Sequence, residues 1–245
     1  MFGAERLRTL AILPVKDFEL AHERLQGTVS EPDRARIAEE LFLDMLIKVR
    51  RCKTVDDVLI VSGDSEVVRH AKWVGVDVLS LAEDPGHSEA ALRGIRDAVA
   101  GGFERVAVLP TDCPLFDPNE FDAHLGRTPR AALIVPDAAH SGTNALILTP
   151  PDCFEPAFGG ESLIRHTGRA RASGVSFALE EIEGLKHDLD TPEDLAYLRE
   201  ALLAHPERSP RTARVLWEIG PEPSESVPSE IPGFPPPEST PTPPV

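Results

Sequence analysis

Apolar positions along this chain alternate between two rhythms. Short unbroken runs, at Thr9 to Val15, Val58 to Val61, Val76 to Leu79 and Val106 to Leu109, have the character of strands buried on both faces. Between them the spacing turns helical. Ile37, Leu41, Met45, Leu46 and Val49 make one stripe behind Ser30-Glu-Pro-Asp33, where Ser30 is a natural N-cap and Pro32 fits the first turn. Val67, Val68 and Ala71 mark a short helix over 65–74, and a helix capped by Ser88 or a neighbour runs to about Ala100. A short helix over Glu120 to Leu125 is followed by strands at Ala131 to Val135 and Asn144 to Leu148. The polar loop between these strands is short enough for a hairpin, which predicts an antiparallel edge on an otherwise parallel sheet. A glycine-rich turn, Phe158-Gly-Gly-Glu-Ser162, opens a helix over 162–172. A strand at Val175 to Leu179 and a helix from Pro192 to about Leu203, with Thr191 as N-cap, close the series. Strand and helix in alternation predict an α/β domain, its sheet mainly parallel and covered by helices on both faces.

Beyond about residue 205 the rhythm stops. Residues 219–245 hold ten prolines among Ser, Glu and Thr, a composition that cannot bury enough apolar surface to order itself. The expected division is a folded domain over 1–205 and a disordered Pro-rich tail over 206–245. Within that tail, Arg214 to Ile219 is the one segment with the apolar content to dock. Truncation after about Leu203 is expected to leave a folded, active protein.

Composition narrows the function. Hydrophobic content of 41% and charged content of 27% fit a soluble globular chain. No apolar run approaches a membrane span, and the first residues lack the apolar core of a signal peptide. Cys52, Cys113 and Cys153 are odd in number and widely spaced, which suits a reducing compartment; the expected location is cytoplasmic. A net charge of −16 argues against nucleic acid or an anionic membrane as partner. A nucleotide stays open, because acids can hold Mg²⁺ and Mg²⁺ can hold phosphates.

The candidate chemistry lies at strand ends. Asp112 follows the run Val106 to Leu109 at once, with Pro110, Pro114 and Pro118 blocking the ladder. A carboxylate there stands on the edge where open α/β sheets bind ligands, although a lone Asp more often only caps its turn. A second acidic turn, Asp188-Leu-Asp190, shifts the balance: in extended backbone both carboxylates point to one side. Together with Asp112 they make a plausible Mg²⁺ site. Lys16 and Arg24, close behind the first strand, can neutralise phosphates, or can be ordinary solvated charge. Free amides at the helix near Ser88 and at the Gly159 turn suit an anion. Neither a P-loop, a G-x-G-x-x-G fingerprint nor a G-x-S-x-G elbow is present.

The order Leu13-Pro-Val-Lys16, Arg24-Leu25, Val108-Leu-Pro-Thr-Asp-Cys-Pro-Leu115, Gly142-Thr-Asn144, Phe158-Gly159 with Ser162, and Asp188-Leu-Asp-Thr-Pro-Glu-Asp194 resembles the phosphoenolpyruvate or 2-phospho-L-lactate guanylyltransferases of coenzyme F420 biosynthesis. The resemblance spans roughly residues 9–203. It implies a three-layer α/β/α nucleotidyltransferase domain, similar to molybdenum-cofactor nucleotidyltransferases and GT-A enzymes, that transfers GMP from GTP to the phosphate of a three-carbon acid. It implies Asp112, Asp188 and Asp190 as Mg²⁺ carboxylates, and Lys16 and Arg24 as triphosphate contacts beside Asp112 in the catalytic centre. Ser88 and Thr111 fall on the nucleotide side, and Thr143, Gly159 and Ser162 in the acceptor site. The implied partners are GTP and the acid, with a homodimer as an open assembly. Two segments depart from many relatives: Ala21-His-Glu-Arg-Leu25 replaces Ala-Lys-Ser-Arg-Leu, and Gly86-His-Ser-Glu-Ala-Ala91 replaces Gly-Leu-Asn-Ala-Ala. Two readings stand beside it: another nucleotidyltransferase on the same fold, and a paralogue that binds without catalysing.

Overall fold

In a computed structural model, which describes residues 6–127 and 131–220, the apolar runs become β1 (Thr9–Pro14), β2 (Asp57–Ser62), β3 (Asp77–Ser80), β4 (Arg105–Val108), β5 (Ala132–Pro136), β6 (Thr143–Leu148) and β7 (Phe177–Leu179). The helical stripes become α1 (Glu31–Val49), α2 (Ser65–Trp73), α3 (His87–Ala100), α4 (Pro118–Arg127), α5 (Ser162–Ala172) and α6 (Pro192–Ala204), and a further helix, α7, covers Pro210–Ile219. The strands join in one sheet ordered β3-β2-β1-β4-β6-β5-β7.

Strand alternation sends successive residues to opposite faces, so both faces must be apolar. Leu10 and Ile12 of β1 pack with Val106 and Val108 of β4 under Ala91, Ile95 and Ala98 of α3. Ala11 and Leu13 face the other way, against Phe42, Met45 and Leu46 of α1 and Phe121 of α4. The layers are therefore helix, sheet, helix. Gly94 lets α3 lie close to the sheet, since a Cβ there would come 2.6 Å from Ile12 Cγ2. No helix among the described residues is long and apolar enough to cross a membrane.

Three expectations need correction. The antiparallel strand is not at the edge: β6 runs antiparallel to both β4 and β5, and β7 forms the edge, parallel to β5. Burial accounts for this. β6 is buried at every position but Asn144 and needs a neighbour on each side, whereas β7 is short and partly exposed, as edges tend to be. The N-cap of α3 is Gly86, not Ser88 or another side chain; at φ 83° the chain enters the helix through a conformation that favours glycine.

The third correction is the domain boundary. The ordered chain does not stop at 205. Ala213, Val215 and Leu216 of α7 bury themselves against α1 and α6, joining Ile37, Leu41, Leu198 and Leu202 in a satellite core. The buried Asp44 carboxylate accepts from the amide (2.8 Å) and hydroxyl (2.9 Å) of Thr212. The ion pairs Arg36–Glu218 (2.6 Å) and Arg211–Glu40 (3.0 Å) rim the contact. Of the tail expected over 206–245, residues 221–245 lie outside the described residues.

A chain ended at Ala204 should therefore be destabilised. Burial of Val215 and Leu216 alone corresponds to about 3–6 kcal/mol, and Asp44 would lose both its donors. Urea unfolding of the truncated and full chains checks this, and equal midpoints would show that α7 contributes nothing to stability.

Candidate active site

The turn after β4 cannot continue the ladder, because Pro110 and Pro114 lack donors and break the pairing. Its carbonyls are satisfied from elsewhere. Asp112 O accepts from Leu189 N (3.1 Å). Pro114 O accepts from Lys48 Nζ (2.6 Å) and Ser209 Oγ (2.7 Å), and Leu115 O from the Arg208 guanidinium (2.9 Å). Gly184 packs on the same turn so closely that a Cβ there would meet Leu115 O at 2.7 Å.

The bond from Leu189 to Asp112 lays the second acidic turn beside the first. Leu189 itself is fully buried in the satellite core, at a bend in the chain, with Asp188 and Asp190 partly buried on either side of it. The Leu189 carbonyl accepts from His22 Nδ1–H (2.8 Å). Burial holds the His22 imidazole below its usual range, hence neutral. Thus the departure at His22 removes a cation and installs a clamp on the acidic turn. Asp188 accepts from Asn144 Nδ2 (3.2 Å), which also donates to Leu185 O (2.7 Å). Asp190 pairs with Arg24 at 3.0 Å, both side chains largely exposed.

Burial first, and then the charges of Asp188 and Asp190, push the Asp112 carboxyl up to about 8. Burial also raises Asp188. Three carboxyl groups thus share one field, and Arg24 is paired to the outermost of them. Among the described residues no three His, Cys, Asp or Glu side chains stand as a ready-made metal shell. The donors are nonetheless hard oxygens, and Mg²⁺ asks for only one or two carboxylates, with water and phosphate completing its sphere. The donor chemistry fits that ion.

Asp112, Asp190, Thr111, Lys16, Arg24 and Gly159 line one cavity of about 420 Å³. A smaller cavity of about 240 Å³ adjoins it across Lys16 and His87, walled by Gly63, Glu83 and Asp84. Lys16 is exposed just past β1, whereas Arg24 already has a carboxylate partner. Ser88 lies in the first turn of α3 with its hydroxyl 3.4 Å from Phe158 O, tying that helix to the Gly159 turn. Thr143 and Ser162 are buried. Thr143 Oγ1 is 2.9 Å from His166 Nδ1, and the Ser162 amide donates to Gly159 O at 3.0 Å. The loop before Thr143 spends its polar groups on itself: Asp137 accepts from Ser141 N (2.9 Å) and Gly142 N (2.8 Å). The residues that composition and spacing did not single out as participants are His22, His87, Asn144 and His166. Asn144 and the two departure histidines lay inside quoted motifs, but His166 had no sequence signal beyond its place early in α5.

A family model described as "Guanylyl transferase CofC like" matches residues 9–210. The chain belongs to this family. It is 39% identical over 220 residues to a phosphoenolpyruvate guanylyltransferase of Conexibacter woesei, covering 87% of this chain and 97% of the relative. It is 32% identical over 191 residues to a 2-phospho-L-lactate guanylyltransferase of Methanothermobacter thermautotrophicus, covering 77% and 83%. The fold is shared with a protein of Desulfovibrio desulfuricans described as a nucleotide-diphospho-sugar transferase, with TM-score 0.71, 19% identity, and coverage of 86% and 94%. The chain is accordingly an enzyme of the nucleotidyltransferase class, on a three-layer domain whose mixed sheet is mostly parallel.

Because Asp112 sits among like charges, Asp112→Asn should separate stability from activity. Relief of the repulsion should hold or raise the melting temperature, while turnover should fall about 100-fold or more, the scale set by loss of one electrostatic group at a reacting centre. A folded variant with near-wild-type turnover would remove Asp112 from the reacting centre.

Proposed function

We propose that the protein transfers GMP from GTP to the phosphate of phosphoenolpyruvate, releasing diphosphate, as a step of coenzyme F420 biosynthesis. The observation that carries this reading is Asp112 and Asp190 lining one cavity with Lys16 and Gly159, with Asp188 close enough to act on Asp112. The name of the Conexibacter relative supports the acceptor. In the reaction an oxygen of the acceptor phosphate attacks the α-phosphorus of GTP. The new P–O–P bond forms as the bond to the β-phosphate breaks, and diphosphate carries away the electron pair.

No general base is required, because the attacking phosphate is already an anion; catalysis reduces to placement and charge. Asp112, with Asp188 or Asp190, would hold Mg²⁺, which when bound supplies charge neutralisation on the triphosphate. Lys16 stands between the two cavities, positioned to meet phosphate oxygens from either. The smaller cavity suits the guanine, since Glu83 and Asp84 on its wall can accept from the base's N–H groups. Gly63 there leaves room: a Cβ would lie 3.3 Å from Leu81 O. Thr143, Gly159 and Ser162 form the acceptor side, where the Gly159 turn meets the start of α3. Arg24 acts first on Asp190, and reaches phosphate only by sharing or leaving that pair.

A second acceptor, 2-phospho-L-lactate, is favoured by the likeness to the Methanothermobacter relative. The two acids differ at one carbon, planar in the enol and tetrahedral in the lactate, and a difference of that size in a pocket amounts to about 10–200-fold. Preference should therefore be graded. With GTP, Mg²⁺ and both acids at equal concentration, the enolpyruvyl product should predominate by mass. An excess of the lactyl product would reverse the acceptor assignment. No diphosphate release with either acid would overturn the reading as a whole.

A further inference from the structure

One buried imidazole joins the two elements placed on the acceptor side. His166, on the second turn of α5, is fully buried. Its Nε2 lies 2.8 Å from the backbone nitrogen of Ala157, two residues before Gly159, and its Nδ1 lies 2.9 Å from Thr143 Oγ1. The Phe158 ring stands edge-on between this imidazole and that of His87, with centroids 4.9 Å and 4.6 Å away. A backbone N–H can only donate, so Nε2 must accept and carry no proton. Burial, and then the charges of Arg169, Arg165 and His87, press the ring down to about 4, which leaves it neutral. A neutral imidazole has one N–H, and here it can be only at Nδ1. That N–H donates to Thr143 Oγ1. The hydroxyl is thereby used as an acceptor on the side of the ring, and its own hydrogen points away from His166. Among the described residues the Thr143 hydroxyl donates to none.

We propose that His166 is a positioning residue of the acceptor site: held as the Nδ1–H tautomer by the Ala157 amide, it makes the Thr143 hydroxyl an obligate donor to an anionic oxygen of the phosphorylated acid. The same ring fixes the strand that carries Thr143 and the segment leading into the Gly159 turn. An acceptor anion therefore meets a donor whose direction is set before it arrives. This rests on the acceptor reading of Thr143 given above.

The tautomer is read directly on the full chain by ¹⁵N–¹H correlation of histidine rings, the His166 signal being assigned by its displacement in Thr143→Val. An Nδ1–H ring is expected; an Nε2–H or doubly protonated ring overturns the proposal, whatever the behaviour of any variant. Steady-state diphosphate release then compares two replacements. His166→Asn retains an amide able to donate toward Thr143, and His166→Gln retains one able to accept from Ala157. His166→Gln should raise the phosphoenolpyruvate KM about tenfold, as for one lost hydrogen bond to a charged group, with the GTP KM within about twofold of wild type. His166→Asn should raise it distinctly less. Equal losses in both variants, or equal rises in the two KM values, would reduce His166 to a packing residue and overturn the proposal. Thr143→Val separates this from the underlying reading. If it raises the acceptor KM while His166→Gln does not, the proposal alone fails. If Thr143→Val leaves the acceptor KM unchanged, Thr143 is not in the acceptor site and both fall together.

Discussion

The hydrogen bond from the Leu189 amide to the Asp112 carbonyl brings this site into being. It brings two acidic turns, far apart in the chain, side by side, with the Leu189 side chain anchored in the core between Asp188 and Asp190. Like charges in a partly buried place repel, so the arrangement persists only because the surroundings hold it. Lys48, Arg208 and Ser209 hold the carbonyls of the first turn. His22 and Asn144 hold the second. Gly184 permits the close approach between them. Such repulsion is what the Mg²⁺ of the proposed reaction would relieve.

Most of the layer structure was legible in the sequence, because burial on both faces leaves an unmistakable mark. β1, β2 and β4 appear as unbroken apolar runs, and α1 and α6 carry their caps in plain view at Ser30 and Thr191. The two acidic turns were legible as motifs, although the chain bends at Leu189 and does not run extended there. What depends on partners distant in the chain was not. The insertion of β6 between β4 and β5 is a fact of strand order, which no residue in β6 encodes. The Gly86 cap was masked by Ser88 close by, a better cap on composition alone.

Helix α7 was legible only as a segment able to dock, Arg214 to Ile219, for a different reason. Its apolar face is short, Ala213, Val215 and Leu216, and it adjoins a proline-rich stretch whose composition dominates any window that includes both. The matching signal lay on α1, where Arg34, Asp44 and Lys48 are buried within a helix otherwise read only for its apolar stripe. Buried ionisable groups in a helix imply a polar partner, and two of these three, Asp44 and Lys48, find theirs in residues 209–212. His166 was hidden likewise, for its meaning resides wholly in which atoms stand opposite its two nitrogens.

The attachment of Ser209 and Arg208 to the turn that carries Asp112 has a consequence for synthesis. The first acidic turn leaves the ribosome with β1 to β4 already made, but Arg208 and Ser209 lie 93 and 95 residues beyond the carbonyls they hold. Domains tend to fold as units once their chain is available. A nascent polypeptide can therefore lay down β1 to β4 well before the Asp112 turn has all the partners that hold its carbonyls.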